Sequence, residues 1–223
     1  MDTMTEDKSQ TVEGGSLSFI ELEGALLLEL LEGVSTHAGR DKSLPTLNAV
    51  EIEGGGGLLV ARATDRYRLI EGGARVLEGS LDKALISLED TKRIIALAKA
   101  HKPNLVSITR LGNSLTVSSL GDSLSVTLLG GIFPPTAHLF EASEGEAKPI
   151  EGEASEGEAS EGKPNAVEGV AFNPAFMADY AKIAGKGAAI KIYFTGKNKP
   201  MRVRITSDTI NWRALLMPMS YKD

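Results

Sequence analysis

Cysteine is absent from the 223 residues. That excludes a disulfide framework, a thiolate metal site and a cysteine nucleophile. Histidine is scarce: His37, His101 and His138 stand far apart in the sequence and offer a metal centre little to build on. No apolar run approaches the ~20 residues of a membrane-spanning helix. The first ten residues are polar and mixed in charge, unlike a secretory signal, so a cytoplasmic compartment is expected. No Ser-His-Asp arrangement falls at a known motif spacing, and the carboxylates are scattered rather than grouped for a metal. These absences argue against an enzyme and against a bound cofactor.

What the chain does contain suits a soluble globular protein. It is 42% hydrophobic and 24% charged, in a length that allows one to two domains with a substantial core. The net charge of −6 is unevenly placed. Residues 141–168 hold nine Glu and two Lys, a balance of −7, so the other 195 residues sum to +1. An acidic whole would argue against binding nucleic acid; an acidic segment on a near-neutral body does not. Within that segment Glu-Ala-Ser-Glu-Gly occurs at 153–157 and again at 158–162, and no large apolar residue lies between Ile150 and Val167. Such a stretch cannot bury enough surface to offset its ordering entropy, and it reads as a disordered acidic linker. A solubilising role and a specific acidic docking role are its two readings.

The remainder repeats one pattern. Residues 1–15 read as a flexible arm. Residues 17–22 alternate as a strand. Leu26, Leu27, Leu30, Leu31 and Val34 then make one apolar helix face, with Gly39 as a C-cap candidate. Residues 47–53, 58–63 and 68–72 follow as strands. The glycine run 54–57 is a hairpin loop and not a phosphate loop, because a strand follows it instead of a helix. A second round has a strand at 83–88, a helix capped by Ser87 or Asp90 and running to about His101, and strands at 105–110, 114–118 and 123–128. A third has a strand at 167–172, then a helix capped by Asn173 with Pro174 in its first position and Phe176, Met177, Tyr180 and Ile183 facing the core. Strands at 189–194, 202–206 and 212–217 complete it. The repeat is one of pattern, not of residues. The expected fold class is α+β, built of repeated βαβββ units with helices on one face of antiparallel sheets. The expected organisation is an arm over 1–15, a two-unit domain over 16–140, the acidic linker over 141–168 and a one-unit C-terminal domain over 169–223.

Four motifs bring a family into view. Leu44-Pro45-Thr46-Leu47-Asn48 and Ala63-Thr64-Asp65-Arg66-Tyr67-Arg68-Leu69 resemble the middle domain of bacterial replicative sliding clamps, the beta subunit of DNA polymerase III. Gly130-Gly131-Ile132-Phe133-Pro134 resembles that domain's exit into the last domain. The stretch from Phe172-Asn173-Pro174 to Met217-Pro218-Met219 resembles the second half of the last domain. The resemblance spans most of residues 16–139 and 169–221. It implies the DNA-clamp fold and a polymerase processivity factor, a homo-oligomeric ring that encircles double-stranded DNA without regard to sequence. The chain is short for the family, as a phage-encoded version would be. Three units make one and a half domains, so a ring of twelve units needs four chains, and a trimer needs a further unit.

In the family the helices line the hole of the ring. The resemblance therefore points to basic residues on exposed helix faces as DNA contacts. On the second helix these are Lys92, Arg93 and Lys99, opposite Thr91, Ile94, Ile95 and Ala98, with Lys102 at its end. On the third they are Lys182 and Lys186, beside Ala175 and Asp179. Ordinary solvated lysines are the plainer reading. The first helix departs from the pattern, with Glu29 and Glu32 outward. The family also docks short peptides of the polymerase and clamp loader between its middle and last domains. Carried over residue by residue, that groove takes Thr64, Tyr67, Leu69, Pro134, His138, Leu139, Met217, Pro218 and Met219. Arg66 stands where the family has a glycine and Tyr67 where it has a histidine. Ser220 and Tyr221 stand where it has a basic and then an apolar residue. Leu and Phe anchors need a concave apolar site, and thioethers suit its lining; Met217 and Met219 as plain core residues are the alternative. The alternative function is a clamp mimic that holds such peptides without encircling DNA.

Overall fold

A computed structural model of the chain describes residues 11–12, 15–145, 170–185, 188–194 and 198–220. The expected arm up to residue 10, most of the expected linker, Lys186 and Tyr221 lie outside these residues. After a two-residue β1 (Thr11–Val12), unit one comprises β2 (Gly15–Glu23), α1 (Gly24–Ser35), β3 (Ala49–Gly55), β4 (Leu58–Thr64) and β5 (Arg68–Arg75). Unit two comprises β6 (Glu78–Ser87), α2 (Leu88–Ala100), β7 (Leu105–Leu111), β8 (Ser114–Ser119) and β9 (Asp122–Thr127). A helix α3 (Ala137–Gly145) follows. Unit three comprises α4 (Pro174–Ala184), β10 (Ala189–Tyr193), β11 (Met201–Thr206) and β12 (Asn211–Leu216).

Local chemistry sets the helix ends. Ser87 caps α2: its hydroxyl accepts from the Asp90 N–H at 3.0 Å and donates to the Asp90 carboxylate at 2.8 Å. Asn173 caps α4 by accepting from the Ala175 N–H at 2.9 Å, with Pro174 where a missing N–H does no harm. The first helix ends earlier than its sequence suggested. Thr36 is its C-cap, and Gly39 instead donates its N–H to the Leu47 carbonyl at 2.8 Å, which ties down the loop before β3.

The strands pair antiparallel in the order β10-β11-β12-β5-β4-β3-β6-β2-β7-β8-β9, with β1 on β2. Units one and two exchange their first strands: β6 adds to β3, and β2 adds to β7. Unit three joins through its last strand, with β12 on β5 and Leu215 opposite Leu69. α1, α2 and α4 supply the core on one face of the sheet, with Leu27, Leu30, Leu31, Ile94 and Tyr180 packed on Ile52, Leu59, Ile70 and Ile86. Trp212 of β12 wedges the seam between units one and three. Its indole fills the space that a Cβ at Gly33 of α1 or Gly72 of β5 would need. On the opposite face a row of charges crosses the same seam. Arg62 Nε meets Glu71 at 2.5 Å and Arg62 Nη1 meets Glu51 at 3.2 Å, while Arg213 reaches Glu71 at 2.6 Å. Burial alone would raise the Glu71 carboxyl; hydrogen bonds from Arg213 and Arg62 outweigh it and hold the group below its ordinary range.

Three more expectations need correcting. Thr11–Val12 is not a free arm but pairs with Ser16 and Gly15. Residues 141–145, assigned to the linker, continue α3, whose Phe140 is buried on Leu69 and Leu215 and anchors the helix. The strand expected at 167–172 is reduced, among the described residues, to one bridge between Ala171 and Met219.

Candidate functional site

The turn after β4 is shaped by two short side chains. Thr64 donates its hydroxyl to the Arg68 carbonyl at 2.7 Å and accepts from the Arg66 N–H at 3.2 Å. The Asp65 carboxylate accepts from the N–H groups of Tyr67 and Arg68 at 3.1 and 3.0 Å. These bonds place Arg66 at φ 79°, the left-handed region that costs a residue with a Cβ roughly 1–2 kcal/mol. Tyr67 is left standing into solvent, and its carbonyl accepts from the Met217 N–H at 2.8 Å. The turn and the C-terminal stretch, distant in sequence, are thereby held side by side.

Arg68, which the sequence showed only as one member of the 63–69 motif, is buried and joins three parts of the chain. Its guanidinium donates to Asp65 at 2.9 Å, to Asp179 of α4 at 2.7 Å and to the Thr36 carbonyl at the end of α1 at 2.6 Å. It also stacks on Phe176 of α4, 4.0 Å from the ring centroid. Asp179 is therefore no solvated residue of an exposed helix face. Burial alone would raise its pKa; hydrogen bonds from Arg68 and Lys182 outweigh that and lower it.

Beside this turn, on the sheet face away from α1, α2 and α4, lies an apolar groove of about 560 Å³. Its floor is Leu69 and Leu215, paired across the β5–β12 seam and backed by Phe140 of α3. Arg213 stacks on the far side of that anchor, 4.2 Å from the Phe140 centroid. The walls include Leu47, Thr64, Arg66, Tyr67, Pro134, Thr136, Leu139, Lys199, Pro200 and Met217. Its volume is that of a site for a few buried side chains.

Of the nine residues carried over for a groove, the structure brings six together: Thr64, Tyr67, Leu69, Pro134, Leu139 and Met217. The other three lie elsewhere. His138 lines a separate cavity of about 830 Å³ with Glu51, Arg62, Arg110 and Ile132. Successive helix residues point about 100° apart, so His138 and Leu139 cannot share one face of α3. Pro218 and Met219 lie past the groove wall, where the Met219 N–H donates to the Ala171 carbonyl at 2.8 Å. Sequence reading missed Leu215 in the floor and Lys199 and Pro200 in the wall. Alternation in β12 carried the signal for Leu215: Trp212, Ala214 and Leu216 face the helices, so Leu215 shares the outer row with Arg213.

The basic helix residues are exposed. Lys92, Arg93 and Lys99 stand on α2 opposite the buried Thr91, Ile94 and Ala98, and Lys102 follows its end. Two of these cations are engaged: Arg93 pairs with Asp90 at 2.7 Å, and Lys182 of α4 with Asp179 at 3.0 Å. Among the described residues no group of three or more His, Asp or Glu could hold a metal ion, and no helix is long and apolar enough to cross a membrane.

Comparison with solved structures places this architecture. The chain superposes on the DNA polymerase III beta subunit of Thermotoga maritima with a TM-score of 0.72 at 20% identity, covering 98% of this chain and 69% of that one. The DNA polymerase sliding clamp of Bacillus subtilis gives a TM-score of 0.67 at 20% identity over 96% of this chain and 66% of its own. A sliding clamp of Pseudomonas aeruginosa bound to griselimycin gives 0.69 at 17%, over 99% and 68%. No protein-family model and no curated protein sequence matches the chain. The chain thus has the sliding-clamp fold and spans about two thirds of the length of these clamps.

Proposed function

We propose that the chain is a reduced sliding clamp, a processivity factor that encircles duplex DNA as a homo-oligomeric ring and tethers a polymerase through the groove beside Tyr67. The observation that carries the reading is the groove itself. Three stretches distant in sequence, around Thr64, Pro134 and Met217, converge on one concave apolar site at the seam between units one and three. A protein with this fold and only a structural need for the seam would have no reason to leave Tyr67, Leu139 and Met217 exposed around it. The bases of α2 and α4 on the helix side suit phosphate contact that ignores sequence, with Lys92, Lys99 and Lys102 as its centre. Polymerase and clamp loader are the partners whose short peptides the groove would take.

The clamp mimic remains the second reading. Arg93 and Lys182, held by Asp90 and Asp179, and the outward Glu32 weaken the positive lining that DNA would meet. Both readings use the groove, so the groove is tested first. A labelled peptide with Leu and Phe anchors should bind, and Met217→Ala should weaken it more than tenfold, because truncating a central anchor costs ~2 kcal/mol and ~1.4 kcal/mol is a factor of ten. Fluorescence anisotropy reads this directly. Equal affinity in Met217→Ala with the fold intact would move the partner site elsewhere.

A further inference from the structure

Units one and two bury the helix-side residues of their strands against each other. Val50 and Ile52 of β3 are fully buried, with α2 packed on β3 and β6 paired along its edge. In unit three Ile190 and Ile192 hold the like place. β10 is the first strand after its helix, and the two isoleucines stand opposite Ile205 and Val203, which are buried in the core. Yet Ile190 is 37% exposed, Ile192 40% and Phe194, next along, 62%. The outer edge of β10 carries no strand among the described residues. An edge strand with its apolar row uncovered is an association surface.

The residues that lead into α4 already sit where a first strand belongs. After β9 the Leu129 N–H donates to the Leu85 carbonyl, three residues before α2 begins. After β12 the Met219 N–H donates to the Ala171 carbonyl, three residues before α4 begins. Leu85 belongs to β6, and β6 goes on to pair with β3 of the other unit. By the same geometry the stretch through Ala171 offers its free edge to a β10 of another unit.

We propose that a second copy of this chain completes unit three. Two such halves pair about a two-fold axis, each β10 receiving the stretch through Ala171 that leads into the other's α4, so that Ile190, Ile192 and Phe194 enter a shared core. The inference rests on the ring reading above and names one of its joints. A two-fold joint matches one surface with itself, and unit three is the same kind of unit as the missing half. Residues 151–166 contain no large apolar side chain and so offer no substitute. Met177 and Ala181, one turn apart on the flank of α4 away from Asp179, continue the apolar surface toward the axis. Stable dimers bury about 800 Å² per partner; a strand edge and a helix flank from each side are what units one and two bury within this chain. Lys191 lies between the isoleucines on the other face of the sheet and stays out of the joint.

Light scattering on the full chain at micromolar concentration tests this, with Ile192→Glu on the strand and Ala181→Arg on the helix flank. The wild type should have an even multiple of the 23.6 kDa chain mass, and each variant should lose at least half of it with unchanged far-UV circular dichroism. If one variant unfolds, the other decides. An assembled wild type whose variants keep the full mass overturns this joint and leaves the ring reading standing. A wild type of single-chain mass overturns both.

Discussion

Arg68→Ala is expected to lower the unfolding free energy by about 3–5 kcal/mol, the cost of breaking a buried ion pair by removing one partner. The Arg68 side chain is 7% exposed and its guanidinium serves Asp65, Asp179 and the Thr36 carbonyl at once. Its loss takes the guanidinium from two largely buried carboxylates, leaving Asp65 its backbone donors and Asp179 only the exposed Lys182, and it removes the donor to the Thr36 carbonyl and the group that stacks on Phe176. The effect falls on the attachment of unit three, because Arg68 belongs to unit one and Asp179 to α4. Urea unfolding should therefore show a lower midpoint and a broader transition. Lys182→Ala is the matched control. That lysine also pairs with Asp179, but it is 73% exposed, and an exposed pair contributes about 0–1 kcal/mol. Equal, small effects of the two variants would mean that the guanidinium does not hold the units together.

Acid should destabilise the fold well above the carboxylate range, through His37. Its ring is fully buried, and burial first, then the nearby Arg68 cation, lowers its pKa from 6.5 to about 3. The Thr36 hydroxyl donates to the Gly33 carbonyl at 2.8 Å and so accepts from His37 Nδ1 at 2.8 Å. The neutral ring then has its proton on Nδ1, and Nε2 points bare into the core. Below pH 6.5 the unfolded chain takes up a proton that the folded chain refuses until about pH 3. The unfolded state binds more protons across that window, so stability rises with pH and is lost as pH falls, by about 1.4 kcal/mol per unit. From pH 7 to pH 5 the loss is roughly 2 kcal/mol, and by pH 3 the full linkage is about 4–5 kcal/mol. Asp179 and Glu71 have depressed values, so their contribution is lost only at lower pH. Urea midpoints at pH 7, 6 and 5 isolate the histidine. His37→Gln should remove most of the slope, and an unchanged slope in that variant would assign it to another group.

Much of the architecture was legible because the apolar periods are clean. The alternation of residues 17–22, the helix face of Leu27, Leu30, Leu31 and Val34, and the Ser87 and Asn173 caps each specify an element from a few neighbouring residues. What could not be read is set by long-range contact. Arg68 is a surface charge by composition, and only α1 and α4 arriving from both sides make it a buried hub. α3 was invisible because its sequence from Glu141 on is polar, and its single strong anchor, Phe140, finds its partners on β5 and β12. The lining of the groove was legible where strand direction sets the side chain, as at Leu69 of β5. It was misread at His138 and Met219, where helix rotation and the Ala171 bridge turn the residue away.

Encirclement of DNA has a topological signature. Fluorescent protein dissociated by dilution, reassembled in the presence of a nicked circular duplex at low salt and then passed through a sizing column at high salt should remain with the circle, because a closed ring cannot diffuse off. Purely electrostatic contacts with phosphates would be lost, since their affinity falls steeply with salt. One restriction cut should release the protein. Retention on the circle no greater than on the linear duplex, by a protein shown to be assembled, would mean that the assembly does not encircle DNA.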